Sequence, residues 1–104
     1  MENIRVGDVV YTSWGYDQTN IDYYQVVDKT GKITYALQRV GSLIVDDAEE
    51  SNSSYNKVIP DLTNKQGGAF KKRLGKYGFK IYSFAYASLW DGNPKSETAF
   101  GYGH

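Results

Sequence analysis

An all-β fold, either a small twisted barrel of the SH3-like kind or a sandwich of about six short strands, is what this sequence predicts. Three observations predict it. Aromatic residues make up 15% of the chain and ten residues are tyrosine, and they stand with β-branched residues in short runs of the kind that fit a pleated, half-buried surface. Eleven glycines punctuate those runs, as frequent turns between strands require. No segment carries a helical stripe: Asp46 to Ser54 has a single alanine and no apolar periodicity, and Lys65 to Lys72 contains Gly67-Gly68. At most one short helical turn is expected.

Taken in order, Val9–Trp14 reads as a first strand entered through Gly7-Asp8, and Tyr23–Val27 as a second, after the loop Gly15 to Asp22. Asp28-Lys29-Thr30-Gly31 is a turn signal, and Lys32 to Val40 then places Ile33, Tyr35 and Leu37 on one face, which predicts a hairpin. Leu43–Val45 is a short apolar continuation. Asp46 to Ser54 is polar and acidic and reads as an exposed loop. Val58-Ile59-Pro60 reads as an edge segment, since proline withholds a ladder donor, and Asp61 to Gly68 as a second loop. Phe70–Leu74, the turn Gly75-Lys76-Tyr77-Gly78 and a long strand Phe79–Trp90 make a second hairpin, closed by Asp91-Gly92-Asn93-Pro94.

A chain of 104 residues fits one domain, residues 1–104, and buries only about two-thirds of the surface its unfolded form exposes. Most large apolar side chains are therefore committed to the core. Cysteine is absent, which excludes disulfides and thiolate metal sites and suits a reducing compartment. Met1 to Arg5 shows neither the basic nor the apolar part of a secretion signal, and no run of eighteen apolar residues occurs, so a cytoplasmic protein without membrane association is expected. Formal net charge is zero, yet residues 1–61 carry ten acids and five bases and residues 62–104 carry seven bases and two acids.

The densest polar and aromatic run is Trp14-Gly15-Tyr16-Asp17-Gln18-Thr19-Asn20, followed by Asp22, Tyr23, Tyr24 and Gln25. A connecting loop needs glycine, asparagine or aspartate for its geometry; tryptophan, tyrosine and glutamine are surplus to that need. Trp14, Tyr16 and Tyr24 offer flat faces, and Asp17, Gln18 and Asn20 offer paired hydrogen-bonding groups. Against this stands a plainer reading, in which Trp14 and Tyr16 plug one end of a barrel and Asp17 and Asn20 satisfy their own loop. The plainer reading weighs more for the aromatics, and the two balance for Asp17, Gln18 and Asn20.

On the second hairpin, Lys71, Lys72, Arg73, Lys76 and Lys80 make a basic surface that attracts phosphates or acidic protein. Strand parity places Tyr82, Phe84, Tyr86 and Trp90 on one face, a pattern seen where single-stranded nucleic acid stacks but commoner in plain cores. Phe84 is assigned to the core, and Tyr82 and Tyr86 are retained as binding candidates. An ordinary solvated hairpin that balances the acidic loop remains the commoner explanation of the bases.

Catalytic chemistry finds few parts. His104 is the single histidine and ends the chain, so neither a His-based triad nor a two-histidine metal site can be assembled. No phosphate-cradling Gly-x-x-x-x-Gly-Lys-Ser/Thr run occurs. A carboxylate pair drawn from Asp17 or Asp22 with Asp91 has no separation fixed by the sequence. No catalytic residue, cofactor or metal is expected.

The run Gly7 to Asn20 with Asp22, Tyr23, Tyr24, Gln25 and Val26, and the ending Trp90-Asp91-Gly92-Asn93-Pro94 to Gly103-His104, resemble a group of small uncharacterised proteins of bacteriophages and bacterial mobile elements. The resemblance implies a setting, the bacterial cytoplasm, and transfers no site residues. Recognition chemistry without catalytic chemistry, read in that setting, leads to the expectation of a non-enzymatic binding protein whose partner is a bacterial protein, of the kind that inhibits a CRISPR or restriction system. The alternative is a nucleic-acid or nucleotide-binding SH3-like or OB-like module using the basic hairpin. An unpaired edge near Val58 offers a route to a homodimer.

Overall fold

β1 (Val9–Trp14) and β2 (Asn20–Lys29) form the first hairpin. A computed structural model of the chain, which describes residues 4–15, 18–46 and 55–98, pairs the two strands antiparallel from Val9 opposite Gln25 to Trp14 opposite Asn20. Side chains alternate between faces, so Val10, Thr12 and Trp14 share one side with Tyr24, Asp22 and Asn20, while Tyr11 and Tyr23 share the other. Both sides of β2 are buried between Ile21 and Tyr24. That double burial draws the strand out beyond the expected Tyr23–Val27.

β3 (Thr34–Asp46) pairs with β2 as far as Val40 opposite Tyr23 and then continues beyond it. Its partner along nearly its whole length is β4 (Tyr55–Gly75). Two expectations are corrected here. Asp61 to Gly68 is strand, not loop, because register shifts absorb the residues that do not fit the ladder, and the buried Gln38 donates from Nε2 to the carbonyls of Gln66 at 3.0 Å and Gly67 at 2.9 Å. Those bonds satisfy backbone groups that a bulge takes out of the ladder. Val58 is not an unpaired edge either, since it lies between Ile44 of β3 and Lys95 of β7 (Lys95–Thr98), a strand the sequence reading did not anticipate.

The expected long strand Phe79–Trp90 is two strands, β5 (Gly78–Tyr82) and β6 (Ala85–Leu89). They are joined at Ser83-Phe84, with Tyr82 opposite Ala85. A chain reversal between Tyr82 and Tyr86 breaks the parity argument, so Tyr82, Phe84, Tyr86 and Trp90 do not form a stripe. Phe84, assigned to the core, sits in the turn and is 65% exposed.

Hydrogen bonding runs in the order β3-β2-β1-β6-β5-β4, and the β3–β4 pairing closes these six strands into a ring, with β7 added outside on β4. Every pairing is antiparallel. The protein is thus all-β, a small closed barrel of six strands with a seventh outside it and no helix among the described residues. Closure removes the free edges of the ring strands, while β7 pairs with β4 alone.

Inside the ring, Ile4, Val10, Tyr24, Val26, Tyr35, Leu37, Phe79 and Ala87 form the main core, with Phe70, Leu74 and Ile81 packed against it. A second cluster of Ile21, Tyr23, Val40 and Val58, with Val9, Tyr11 and Trp90, lies on the opposite face of β1 and β2. The Tyr23 hydroxyl donates to the Val58 carbonyl at 2.7 Å. This bond ties the start of β4 across the outside of the barrel.

Candidate functional site

One end of the barrel is built by inward-facing side chains that are polar instead of apolar. Val10 faces the core; two and four residues on, Thr12 and Trp14 continue on the same side at the barrel mouth, opposite Asp22 and Asn20. From β3, Arg39 stands opposite Tyr24, and Tyr82 ends β5. The Asp22 carboxylate collects all of them. Its Oδ2 accepts from Trp14 Nε1 at 2.7 Å, Tyr82 OH at 3.1 Å and Thr12 Oγ1 at 3.3 Å, and its Oδ1 accepts from Arg39 at 2.8 Å.

Of the four donors, three converge on Oδ2 and one reaches Oδ1, so the Oδ2 side of the carboxylate is fully used. Asp22 is only 7% exposed, whereas the Arg39 side chain is 45% exposed. The acid is therefore an internal anchor, and the guanidinium a rim group with donors facing outward. Nothing here places Asp22 beside Asp91, which bonds the Asn93 amide and the Lys95 ammonium in a separate exposed turn.

The anchor fixes an aromatic cluster. Tyr82 and Phe84 stack at 5.2 Å with their planes 13° apart, and Trp14 meets both at 5.5 Å, inclined to each. Trp14 and Tyr82 are held by Asp22, so Phe84, at the tip of its turn, is presented on a rigid base. Beside it a groove of about 530 Å³ is lined by Ser13, Trp14, Gly15 and Phe84. Gly15 has φ of +134°, and a Cβ there would overlap the Gln18 carbonyl oxygen. Only glycine allows the β1–β2 loop to fold back so tightly.

Of the loop residues singled out from sequence, Trp14 is at the mouth and Gln18 is exposed beside it. Asn20 is structural: its Nδ2 donates to the Trp14 carbonyl at 3.3 Å and closes the loop. Tyr24, offered as a contact residue, is 2% exposed and packs edge-on against Phe70 in the core. Burial, then the Tyr82 hydroxyl, then Asp22 raise its hydroxyl pKa. Tyr16 and Asp17 lie outside the described residues, as do the acidic loop 47–54 and the chain ending 99–104.

On the basic hairpin, Lys71, Arg73, Lys76 and Lys80 are exposed, and Lys72 is half-buried opposite Tyr35. Tyr82 belongs to the mouth, and Tyr86 to the outer wall, where it meets Tyr77. Sequence reasoning missed Arg39 and the anchoring role of Asp22. A signal for both was present, because opposite charges at inward positions of adjacent strands require a partner.

Comparison of the chain with protein-family models, with curated proteins and with solved structures finds no match.

Proposed function

We propose that this chain is a non-enzymatic binding protein that engages a protein partner through the barrel mouth, with Phe84 as the central contact and Trp14, Gln18 and Arg39 around it. The observation that carries the reading is the exposure of Phe84 on a hydrogen-bonded base: an aromatic ring left in water, stacked on Tyr82 and packed against Trp14. Aromatic anchors surrounded by polar groups are the usual energetic centre of protein interfaces. Arg39 adds a rim charge that keeps donors free for a partner's carboxylate or carbonyl. The buried Asp22 carboxylate is committed to holding Thr12, Trp14, Tyr82 and Arg39, an arrangement that favours occupancy over chemistry.

In the setting implied by the resemblance, the partner is a component of a bacterial defence system of the CRISPR or restriction type, and the protein acts in the cytoplasm by blocking it. The test is protection of phage in a defence-proficient bacterium by wild-type protein and by Phe84→Ala. The variant should keep the wild-type unfolding midpoint and lose protection. Full protection by a stable Phe84→Ala protein rules out the mouth as the contact surface.

A further inference from the structure

A second surface lies on the outer wall where β4, β5 and β6 meet. Phe70, Leu74 and Phe79 point into the core, so the alternating positions Lys71, Arg73 and Lys80 point outward. Lys80 stands opposite Tyr86, and the pairing of Leu74 with Phe79 brings Arg73 into line with Lys80. Arg73, Lys80 and Tyr86 thus form one row across three strands, about 10 Å from end to end.

Tyr77, in the β4–β5 turn, meets Tyr86 edge-on at 5.8 Å, and the Lys76 ammonium lies 5.5 Å from the centre of the Tyr77 ring. Tyr77 is 67% exposed and Tyr86 41%. Among the described residues the ion pairs are Arg39–Asp22 and Lys95–Asp91, so none of these four bases is neutralised. The nearest acid in register, Asp28, is two strands from Lys71, across Ala36, and its carboxylate accepts from the Lys29 amide.

We infer that this row binds a short stretch of single-stranded nucleic acid, with phosphates on Arg73, Lys80, Lys71 and Lys76 and a base on the face of Tyr77. The juxtaposition matters more than the charge. Cations alone would serve any polyanion, whereas an exposed tyrosine among them offers a stacking platform that an unpaired base can use and a base-paired one cannot. Tyr82 and Lys72, grouped with this surface by sequence, take no part, because one is held at the mouth and the other faces Tyr35.

The experiment is fluorescence anisotropy of labelled single-stranded DNA and RNA of about ten nucleotides at low salt. Binding is expected to weaken with salt with a log–log slope of about −3 for four phosphate contacts, and Arg73→Gln with Lys80→Gln should reduce that slope by about 1.4. Tyr77→Ala should weaken binding about fivefold to tenfold at unchanged slope, while Lys57→Gln and Phe84→Ala bind as wild type. Thermal melts confirm folding of each exposed-site variant.

No anisotropy change at low salt overturns the inference. So does equal binding to duplex with a neutral Tyr77→Ala, or displacement by an acidic polypeptide as readily as by the oligonucleotide. Since Phe84→Ala serves as the unaffected control, failure here is separable from failure of the proposed protein contact at the mouth.

Discussion

Replacing Asp22 is the sharpest perturbation available at the barrel mouth. In Asp22→Ala, Thr12 Oγ1 is left in a site with no solvent exposure, at a cost of about 1–3 kcal/mol for an unsatisfied buried hydroxyl. Trp14 Nε1 and Tyr82 OH are half-buried and regain water in part, adding about 0.5–1.5 kcal/mol each. The ion pair with the half-exposed Arg39 contributes about 1 kcal/mol or less after solvent screening. These losses share one acceptor and do not add fully, so the expected total is about 3–4 kcal/mol.

For a domain near 100 residues that loss lowers Tm by about 15 °C. In Asp22→Asn the amide oxygen can still face Thr12, Trp14 and Tyr82 while the amine turns towards Arg39, so the cost falls to about 1–2 kcal/mol. Arg39→Gln costs about 1 kcal/mol or less. Urea unfolding followed by tryptophan fluorescence and far-ultraviolet circular dichroism measures all three. A loss below about 1 kcal/mol for Asp22→Ala would refute the anchor, given these hydrogen-bond magnitudes. Equal losses for Arg39→Gln and Asp22→Ala would show that the ion pair, and not the neutral donors, holds the site.

Three further outcomes follow from the same packing. Glu97 has its carboxyl pushed up from the ordinary 4.5, chiefly by burial, with the Ile21 amide opposing and Asp22 reinforcing; the folded state then holds the proton longer, stability declines as pH rises from the ordinary value through the raised one, and Glu97→Gln should abolish that slope in denaturant titrations across the acid range. Tyr23 is pushed up to about 12 from 10.0, mainly by burial and then by Glu97, and Tyr24 is raised as well by burial. Stability should therefore fall as pH rises above 10, with both hydroxyls ionising only as the barrel unfolds in ultraviolet titration. Gly15→Ala forces a Cβ onto the Gln18 carbonyl at positive φ and should cost about 1–3 kcal/mol in urea unfolding.

Local patterns carried the parts of the fold that local chemistry decides. β1 was legible to the residue, since Gly7-Asp8 and Gly15 bracket a β-branched and aromatic run. So was the tight reversal at Gly75 to Gly78. β4 was not, because Pro60 and Gly67-Gly68 are breakers in isolation and become bulged strand only through β3 and the Gln38 amide. The reversal at Ser83-Phe84 carries no glycine, asparagine or aspartate, the residues that usually mark a two-residue hairpin turn. Missing it inverted the reading of Phe84 from core to surface and joined Tyr82 to Tyr86.

At the mouth, the plainer sequence reading of Trp14, as an aromatic that plugs one end of a barrel, matches its part-buried place against Asp22. Asp22 and Arg39 were harder to read, because their role appears only when inward parity is assigned on three strands at once.

The proposal that Phe84 is the centre of a protein contact is tested most directly by placing a photo-crosslinking phenylalanine analogue at position 84 and irradiating bacterial cells that produce the protein. One discrete covalent adduct with a cellular protein is expected from position 84, with none from the same analogue placed at the exposed Lys57. No adduct at position 84, or the same adducts from both positions, would contradict it.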